Sequence, residues 1–218
     1  MHGWMKSASG LIVPAAAAGI NANVAMALGV STSLTLPSHA SGDYLFAFAY
    51  RDGNNNTPTL PAGWTALSPT GLVGVNSNTG LLAYKVAASG AETCTGWTNA
   101  TGLLAAVVKM AGAGPLGLGN DSDVTYGSSA DVTATGFTLA SSNGKSVVLF
   151  FGGHRSTIGT PSAVPAGMTS GVSGAGTSCT LGGAYTTQGV ASYGGGTHAW
   201  GMTSSGFASA TVEITGAA

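Results

Sequence analysis

The sequence contains very few charged residues. Six Lys and Arg and seven Asp and Glu occur among 218 residues, which gives a formal net charge of −1. Typical soluble domains are about a quarter charged, whereas this chain is 6% charged. Nucleic-acid binding is excluded, because Lys and Arg contacts to phosphate supply most of the affinity of such proteins. Coiled coils and helical repeats are excluded because the chain has too few charged residues and leucines to fill their repeating positions.

Long apolar segments are missing as well. The longest mainly apolar run, 11–20, is interrupted by Pro14 and is shorter than the about 20 residues of a membrane helix. We therefore expect no membrane span. His2 and Lys6 ahead of this run leave a secretory signal open as an alternative, but Pro14 inside the run favours an N-terminal arm.

Small residues take the place of the missing charge. Gly, Ala, Ser and Thr make up 121 of the 218 residues, and the mean hydropathy of +0.32 argues against charge-driven disorder. Short β-branched, aromatic and aliphatic runs recur between clusters of Gly, Asn, Ser and Pro. This pattern predicts an antiparallel all-β domain without helices, with its clearest strands at 34–36, 44–50, 81–86, 103–110, 147–151 and 210–215.

The run 44–50 is apolar at every position. Its odd positions are small or aliphatic (Leu45, Ala47, Ala49), and its even positions are all aromatic. Side chains alternate between the two faces of a strand, so this pattern predicts a central strand that is covered on both sides.

The chain also contains two degenerate copies of one pattern, at about 30–113 and about 119–217. The repeat predicts an arm, 1–21, followed by a jelly-roll-like β-sandwich over 22–218. Either each copy forms a small sandwich, or the copies form halves of one sandwich with pseudo-twofold symmetry, which the short link between them favours. The matched positions, in order, are Gly42 with Gly144, Arg51 with Arg155, Pro61-Ala62-Gly63-Trp64 with Pro165-Ala166-Gly167-Met168, Tyr84 with Tyr185, Trp97 with Trp200, and Val108 with Val212.

Matched positions are expected to share an environment. Trp97 and Trp200 are predicted to be core residues, because a buried indole dominates a core of small side chains. Arg51 and Arg155 are predicted to satisfy loop carbonyls at the end of the long strand, with ligand binding as the alternative. His154 would then take the place that Tyr50 has in the first copy.

Two motifs with known chemistry are interpreted as turns. The Gly-Ala-Gly-Pro-Leu-Gly sequence at 112–117 resembles a dinucleotide fingerprint but contains a proline and lacks the helix that the mechanism requires. The Ser-Asn-Gly-Lys sequence at 142–145 resembles a Ser-x-x-Lys motif but has the Asn-Gly signal of a hairpin.

Oxygen and nitrogen ligands do not form a metal motif. The segment 52–56 begins like a calcium loop but lacks its later glycine and closing glutamate, so a polar loop tip is the preferred interpretation over a cation site. The same two interpretations, a polar loop or a cation site, apply to Asp121 and Asp123. The remaining candidates lack metal-binding or disulfide spacing, and these are His39, His154, His198, Cys94 and Cys179.

Catalytic and sugar-binding residues are equally scarce. Of the two glutamates, Glu92 and Glu213, the second matches Lys109 and is predicted to be an exposed strand residue. Trp4, Trp64 and Tyr193 are candidates for stacking on a sugar, although Trp64 follows Pro-Ala-Gly and is interpreted as an apolar plug. The sequence therefore predicts no catalytic, cofactor or metal site.

The order of the motifs resembles a family. Gly-Asp-Tyr-Leu at 42–45 opens a hydrophobic strand, Pro-Ala-Gly-Trp-Thr follows at 61–65, and Leu-Ala-Tyr-Lys-Val-Ala follows at 82–87. This order is similar to that of β-sandwich modules in virion proteins of tailed bacteriophages, over about residues 30–217. The second copy departs from it, with Met168 in place of Trp64 and Tyr-Thr-Thr-Gln at 185–188.

The resemblance implies a structural protein of a virion rather than an enzyme. By analogy we expect a capsid decoration or cement protein that binds the major capsid protein on the virion surface, is made in the host cytoplasm and forms a homo-oligomer, as a trimer. The alternative that it implies is a receptor- or glycan-binding module of a fibre or tail. No cofactor is expected for either.

The N-terminal arm is the predicted partner-binding segment. It holds more large apolar side chains than a free tail would keep, namely Trp4, Met5, Leu11, Ile12 and Val13. We expect it to dock on a neighbouring subunit.

Overall fold

The computed structural model describes residues 23–67, 77–109, 116–141, 144–157, 161, 163–187 and 189–216. These residues form antiparallel strands and contain no helix, so none of them lies in a helix that could cross a membrane. The strands are β1 (Asn23–Gly29), β2 (Tyr44–Asp52), β3 (Thr65–Ala66), β4 (Asn78–Val86), β5 (Gly102–Lys109), β6 (Gly117–Asp121), β7 (Thr125–Ser129), β8 (Val132–Phe137), β9 (Ser146–His154), β10 (Thr169–Ala175), β11 (Thr180–Tyr185), β12 (Tyr193–His198) and β13 (Ser205–Thr215).

The strands form two principal sheets and one small one. The first sheet has the order β1-β5-β2-β4-β3, and the second has the order β10-β11-β9-β13-β6, with β7 also pairing with β13. Strands β8 and β12 pair with each other. The fold is therefore an all-β sandwich, as the sequence pattern predicts.

The two principal sheets share one strand order. Strands β5-β2-β4-β3 of the first sheet have the same succession as β13-β9-β11-β10 of the second, and each group is flanked by an earlier strand, β1 or β6. The first group comes from the first predicted copy and the second group from the second copy. This order is what a duplication would produce, and the duplication itself stays a prediction.

One hydrophobic cluster fills the space between the sheets. It contains Phe46, Phe48 and Tyr50 from β2, and Leu149 and Phe151 from β9. The rings of Phe48 and Phe151 stack with centroids 6.3 Å apart. Since an aromatic side chain buries about 150–250 Å², these rings supply much of the contact between the sheets.

The opposite face of each sheet is also covered. Leu45, Ala47 and Ala49 of β2 lie in a second cluster beneath loops of the first half. Val148 and Phe150 of β9 lie in a third cluster beneath strands β8 and β12. The prediction that strand 44–50 is covered on both sides is therefore confirmed, and β9 has the same property.

Corresponding turns hold corresponding core residues. Gly63 and Gly167 both have a positive φ, of 81° and 80°. In each turn the residue after that glycine, Trp64 or Met168, donates its backbone N–H to the carbonyl of the first proline. Trp97 lies beside Trp64 in the second cluster and Trp200 lies with Met168 in the third, at 2% and 1% exposure, so both tryptophans are core residues as predicted.

Glycines allow β1 to pack closely on the second sheet. Met26 and Val30 occupy the space where side chains at Gly171 and Gly176 would lie. Leu28 also packs at Gly174, where an added Cβ would make ordinary van der Waals contact with it. The glycine-rich β10 thus accepts a row of large side chains from β1, which closes one side of the sandwich.

The prediction for Glu213 is wrong. Its side chain is fully buried and accepts hydrogen bonds from the backbone N–H of Asn120 at 3.0 Å, of Ala140 at 2.7 Å and of Ser141 at 3.3 Å. The hydroxyl of Ser146 donates to the same carboxylate. The segment after β8 folds over β13 and covers a face that the strand pattern alone indicates to be exposed.

The predicted equivalence of Tyr50 and His154 does not hold. Tyr50 lies between the sheets, whereas His154 lies on the outer side of β9, where its ring is 6.0 Å from that of Trp200. Gly153 faces the Tyr50 ring instead. A shift of one residue moves a side chain to the other face of a strand, so the sequence alignment is displaced by one residue here.

Replacing Gly153 by Ala should destabilise the fold by about 1–3 kcal/mol, because an added methyl group would overlap the Tyr50 ring. Chemical denaturation measures this change. Gly194→Ala, also in a strand, is the matched control, because no atom lies within 4 Å of its added methyl. Equal stability of the two variants would contradict the packing described.

Glu213→Gln should cost about 2–4 kcal/mol, because an amide cannot accept at both ends and buried N–H donors lose their charged partner. The control is Glu92→Gln, where the carboxylate lies near the surface and the loss should be smaller. Urea midpoints of both variants compare the two carboxylates. A Glu213→Gln midpoint equal to that of the parent would show that the buried carboxylate is dispensable.

Candidate functional site

Most acidic side chains are used within the fold. Asp43 accepts from the backbone N–H of Ala40 at 2.8 Å. Asp131 accepts from the N–H groups of Trp200 at 2.9 Å and Gly201 at 3.2 Å. With buried Glu213 and two ion pairs described below, five of the seven acids stabilise turns or pair with a cation, so little charge is left for a surface site.

One surface cleft lies between segments 33–39 and 90–95 and has a volume of about 400 Å³. Its titratable groups are already engaged. His39 donates from Nδ1 to the carbonyl of Pro37 at 2.7 Å and accepts from the N–H of Glu92 at Nε2, 3.2 Å away. Glu92 binds Lys85 Nζ at 2.6 Å and the N–H of Ala88 at 3.1 Å. Both titratable side chains of the cleft therefore bind groups of the protein itself.

A second, open hollow of about 330 Å³ lies at the opposite end of the sandwich. The guanidinium of Arg155 lies on one side of it, and its Nε pairs with Asp52 Oδ1 at 3.3 Å. Burial raises the pKa of Asp52, an effect that Arg155 opposes. The other described residues that line it carry hydroxyl groups: Ser156, Thr157, Thr203, Ser204 and Ser205.

A group of buried rings lies behind this hollow. His198 packs edge-on against Phe150 and Trp200, with centroid distances of 5.1 Å to each. His154 Nε2 donates to the carbonyl of Ser129 at 2.8 Å. Burial lowers the pKa of His154 and lowers that of His198 to about 4, although Asp131 nearby favours the charged form of both. Both histidines are packing residues and do not meet His39.

Two of the three sugar-stacking candidates are buried, and the third, Trp4, lies outside the described residues. Trp64 is 6% exposed, packs against Trp97 at a centroid distance of 6.1 Å and is covered by Lys85 Nζ, 5.0 Å from its ring. Tyr193 is 9% exposed and lies beside Phe137. The interpretation of Trp64 as an apolar plug is confirmed, and neither ring forms an exposed platform.

The two thiols are free and buried, and they lie in different hydrophobic clusters. Cys94 lies in the second cluster and Cys179 lies between the sheets. Burial raises the pKa of Cys94 to about 11 and that of Cys179 to about 12. Since the thiolate is the reactive form, neither thiol is a nucleophile near neutral pH.

The proposed cation ligands do not gather at one point. Asp52 is paired with Arg155. Asn54 Oδ1 accepts a hydrogen bond from the backbone N–H of Asn56 at 2.9 Å within the same turn. Burial and the nearby Asp123 raise the pKa of Asp121. Among the residues that the structure describes, no group of three His, Cys, Asp or Glu is arranged to hold a metal ion.

Several sequence candidates lie outside the described residues. These are the arm residues Trp4, Met5, Leu11, Ile12 and Val13, together with 112–115 and 142–143. Gly144, which follows the second of these motifs, has a φ of 75° and precedes β9, in agreement with a turn.

Comparisons of the chain with protein-family models, with curated proteins and with solved structures found no match.

The hydroxyl-lined hollow is the feature that the sequence does not predict as a site. Arg155 is recognisable as one of only six cationic residues, and Thr203-Ser204-Ser205 as a hydroxyl cluster. No spacing rule joins segments some 50 residues apart, because only the pairing of β9 with β13 brings them together.

Neutral His198 should make the fold sensitive to acid. Its pKa is about 4 when folded and about 6.5 when unfolded, so the unfolded chain binds more protons between these values. The contribution of neutral His198 to the free energy of unfolding is complete above pH 6.5. About 3 kcal/mol of it is lost as the pH falls towards 4. Denaturation of the parent and of His198→Gln at several pH values measures it. Parallel pH profiles of the two proteins would rule out this role of His198.

Proposed function

We propose that this protein is a non-enzymatic structural protein of a virion, most plainly a decoration or cement protein that binds the major capsid protein. The observation that carries the proposal is that acidic side chains are engaged within the fold. Asp43, Asp131 and Glu213 all accept hydrogen bonds from backbone N–H groups. With Asp52 and Glu92 paired to cations, five of the seven acids are engaged within the fold, which leaves little negative charge on the outer surface. Such a surface suits permanent contact with other protein better than electrostatic attraction of a charged partner.

The arrangement of layers also supports this proposal. Both faces of β2 and of β9 are covered by the protein's own side chains. Loops and sheet edges are consequently the surfaces that remain for partners. A rigid, neutral sandwich with an apolar arm, 1–21, has the properties required of a subunit that is fixed on a lattice.

The alternative, a receptor- or glycan-binding module of a fibre or tail, has less support. Two of its three stacking candidates, Trp64 and Tyr193, are buried. Imaging of purified particles of the virus that encodes this chain separates the two functions. Density for the protein at many equivalent positions over the capsid supports the cement proposal, and a few copies at the tail would replace it with the alternative.

Deletion of residues 1–20 should abolish binding to the particle and leave the sandwich folded, because β1 begins after the deletion, at Asn23. Copy number per particle, measured by quantitative gel analysis, tests this. A matched variant, Trp4→Ser with Leu11→Ser and Ile12→Ser, keeps the length of the arm and removes apolar anchors. Full occupancy by both variants would show that the arm does not attach the protein.

A further inference from the structure

The cleft between segments 33–39 and 90–95 is formed by two loops on the outer side of the first sheet. The described residues that line it all belong to these two segments, and its volume is about 400 Å³. Leu36 and Cys94, one from each segment, are buried in the second hydrophobic cluster. Both walls of the cleft are therefore anchored in the core.

The two walls are also bound to one another. The backbone N–H of Leu34 donates to the carbonyl of Cys94 at 2.9 Å, and His39 Nε2 accepts the N–H of Glu92 at 3.2 Å. Gly90 lies so close to the opposite wall that a Cβ there would be 2.9 Å from the carbonyl oxygen of His39. These contacts fix the separation of the walls, and a cleft that is already formed lowers the entropic cost of binding a ligand.

Exposed hydroxyl side chains line the cleft, and these are Ser33, Thr35, Ser38, Thr93 and Thr95. The hydroxyls of Thr93 and Thr95 bind one another at 3.3 Å. Within the described part of the chain, the hydroxyls of Ser33, Thr35 and Ser38 make no hydrogen bond. Three groups that can each donate and accept are therefore open to a ligand.

The charges of the cleft are used by the protein itself. Glu92 is held by Lys85 Nζ at 2.6 Å. His39 Nδ1 donates to the carbonyl of Pro37 at 2.7 Å, and because Nε2 accepts an N–H, the ring is neutral in this arrangement. Apolar side chains make up the rest of the lining, namely Leu34, Leu36, Pro37 and Ala91. The cleft thus offers a neutral surface that is partly apolar and partly hydroxylated.

We propose that this cleft binds a neutral sugar, with the apolar face of a ring against the Leu and Pro side chains and the ring hydroxyls on the free Ser and Thr hydroxyls. Sugar hydroxyls donate and accept hydrogen bonds, as those of serine and threonine do. A volume of about 400 Å³ lies near the lower end of the range for ligand pockets, which suits one or two rings. An uncharged, amphipathic ligand matches both kinds of lining side chain.

A charged sugar fits this cleft less well. A carboxylate would lie near Glu92, and the described residues that line the cleft include no free cation, since Lys85 already binds Glu92. A charge that leaves water without gaining a partner is unfavourable. The inference goes beyond the virion proposal and is independent of it, because it rests on the two loops alone and is tested without a particle.

NMR chemical-shift titration of the full chain tests the proposal, with glucose, galactose, mannose and N-acetylglucosamine as neutral probes and glucuronate and galacturonate as charged ones. We expect millimolar binding of at least one neutral sugar, with shifts centred on 33–39 and 90–95, and weaker binding of both uronates. Absence of saturable shifts with all four neutral sugars would overturn the proposal. Shifts centred elsewhere, or a uronate that binds as tightly as the best neutral sugar, would overturn it as well.

Variants separate recognition from folding. Thr35→Val with Ser38→Ala removes two free hydroxyls at exposed positions and should weaken binding at least about fivefold, with an unchanged melting temperature. Thr177→Val with Ser178→Ala, also exposed and in the turn between β10 and β11, is the matched control and should bind as the parent does. Ala91→Phe fills the cleft from an exposed position and should abolish binding. Parental affinity in the folded cleft variants would contradict the proposal.

Discussion

The fold depends on aromatic rings that lie directly on glycine backbone. The Tyr50 ring covers Gly153 between the sheets, the Phe48 ring covers Gly80, and the Trp200 ring covers Gly182 on the outer face of the second sheet. Each ring occupies space that a Cβ would require. Protein interiors are packed as densely as organic crystals, so large rings are accommodated here only where the facing residue has no side chain. Packing thus requires glycine at these positions, whereas glycines such as Gly63 and Gly167 serve turns with a positive φ.

The same constraint accounts for the scarcity of charge. Four layers of chain, two principal sheets and a covering on each outer face, leave few strand positions in contact with water. A buried carboxylate is tolerated only with several hydrogen bonds, and Glu213 obtains them from three backbone N–H groups and one hydroxyl. The acidic side chains of this protein mainly stabilise loops through hydrogen bonds.

Sequence reasoning predicted the long strands β2, β4, β5, β9 and β13 but missed β1, and the predicted strand 34–36 forms only an isolated bridge between Leu34 and Cys94. The segment 44–50 could be assigned, face by face, because its aromatic and small residues alternate. Strands β10 and β12 escaped prediction, because they consist mostly of Gly, Ser and Thr and gain their strand conformation from packing and pairing. The same dependence on distant segments explains the errors at Glu213 and His154. It also explains why the hollow at Arg155 could not be predicted: its two walls meet only after β9 and β13 pair.

The outer edges of the two sheets are not alike. Strand β3 has two residues, β10 shifts its register between Ser170 and Val172, and the edge of β13 is shared by two short strands, β6 and β7. Among the described strands, β1 alone offers an unbroken edge of seven residues. Irregular or very short edges resist the addition of a foreign strand. Extension of a principal sheet between molecules would therefore end after a single pair, since two copies joined through β1 leave only the irregular edges of the principal sheets for a third.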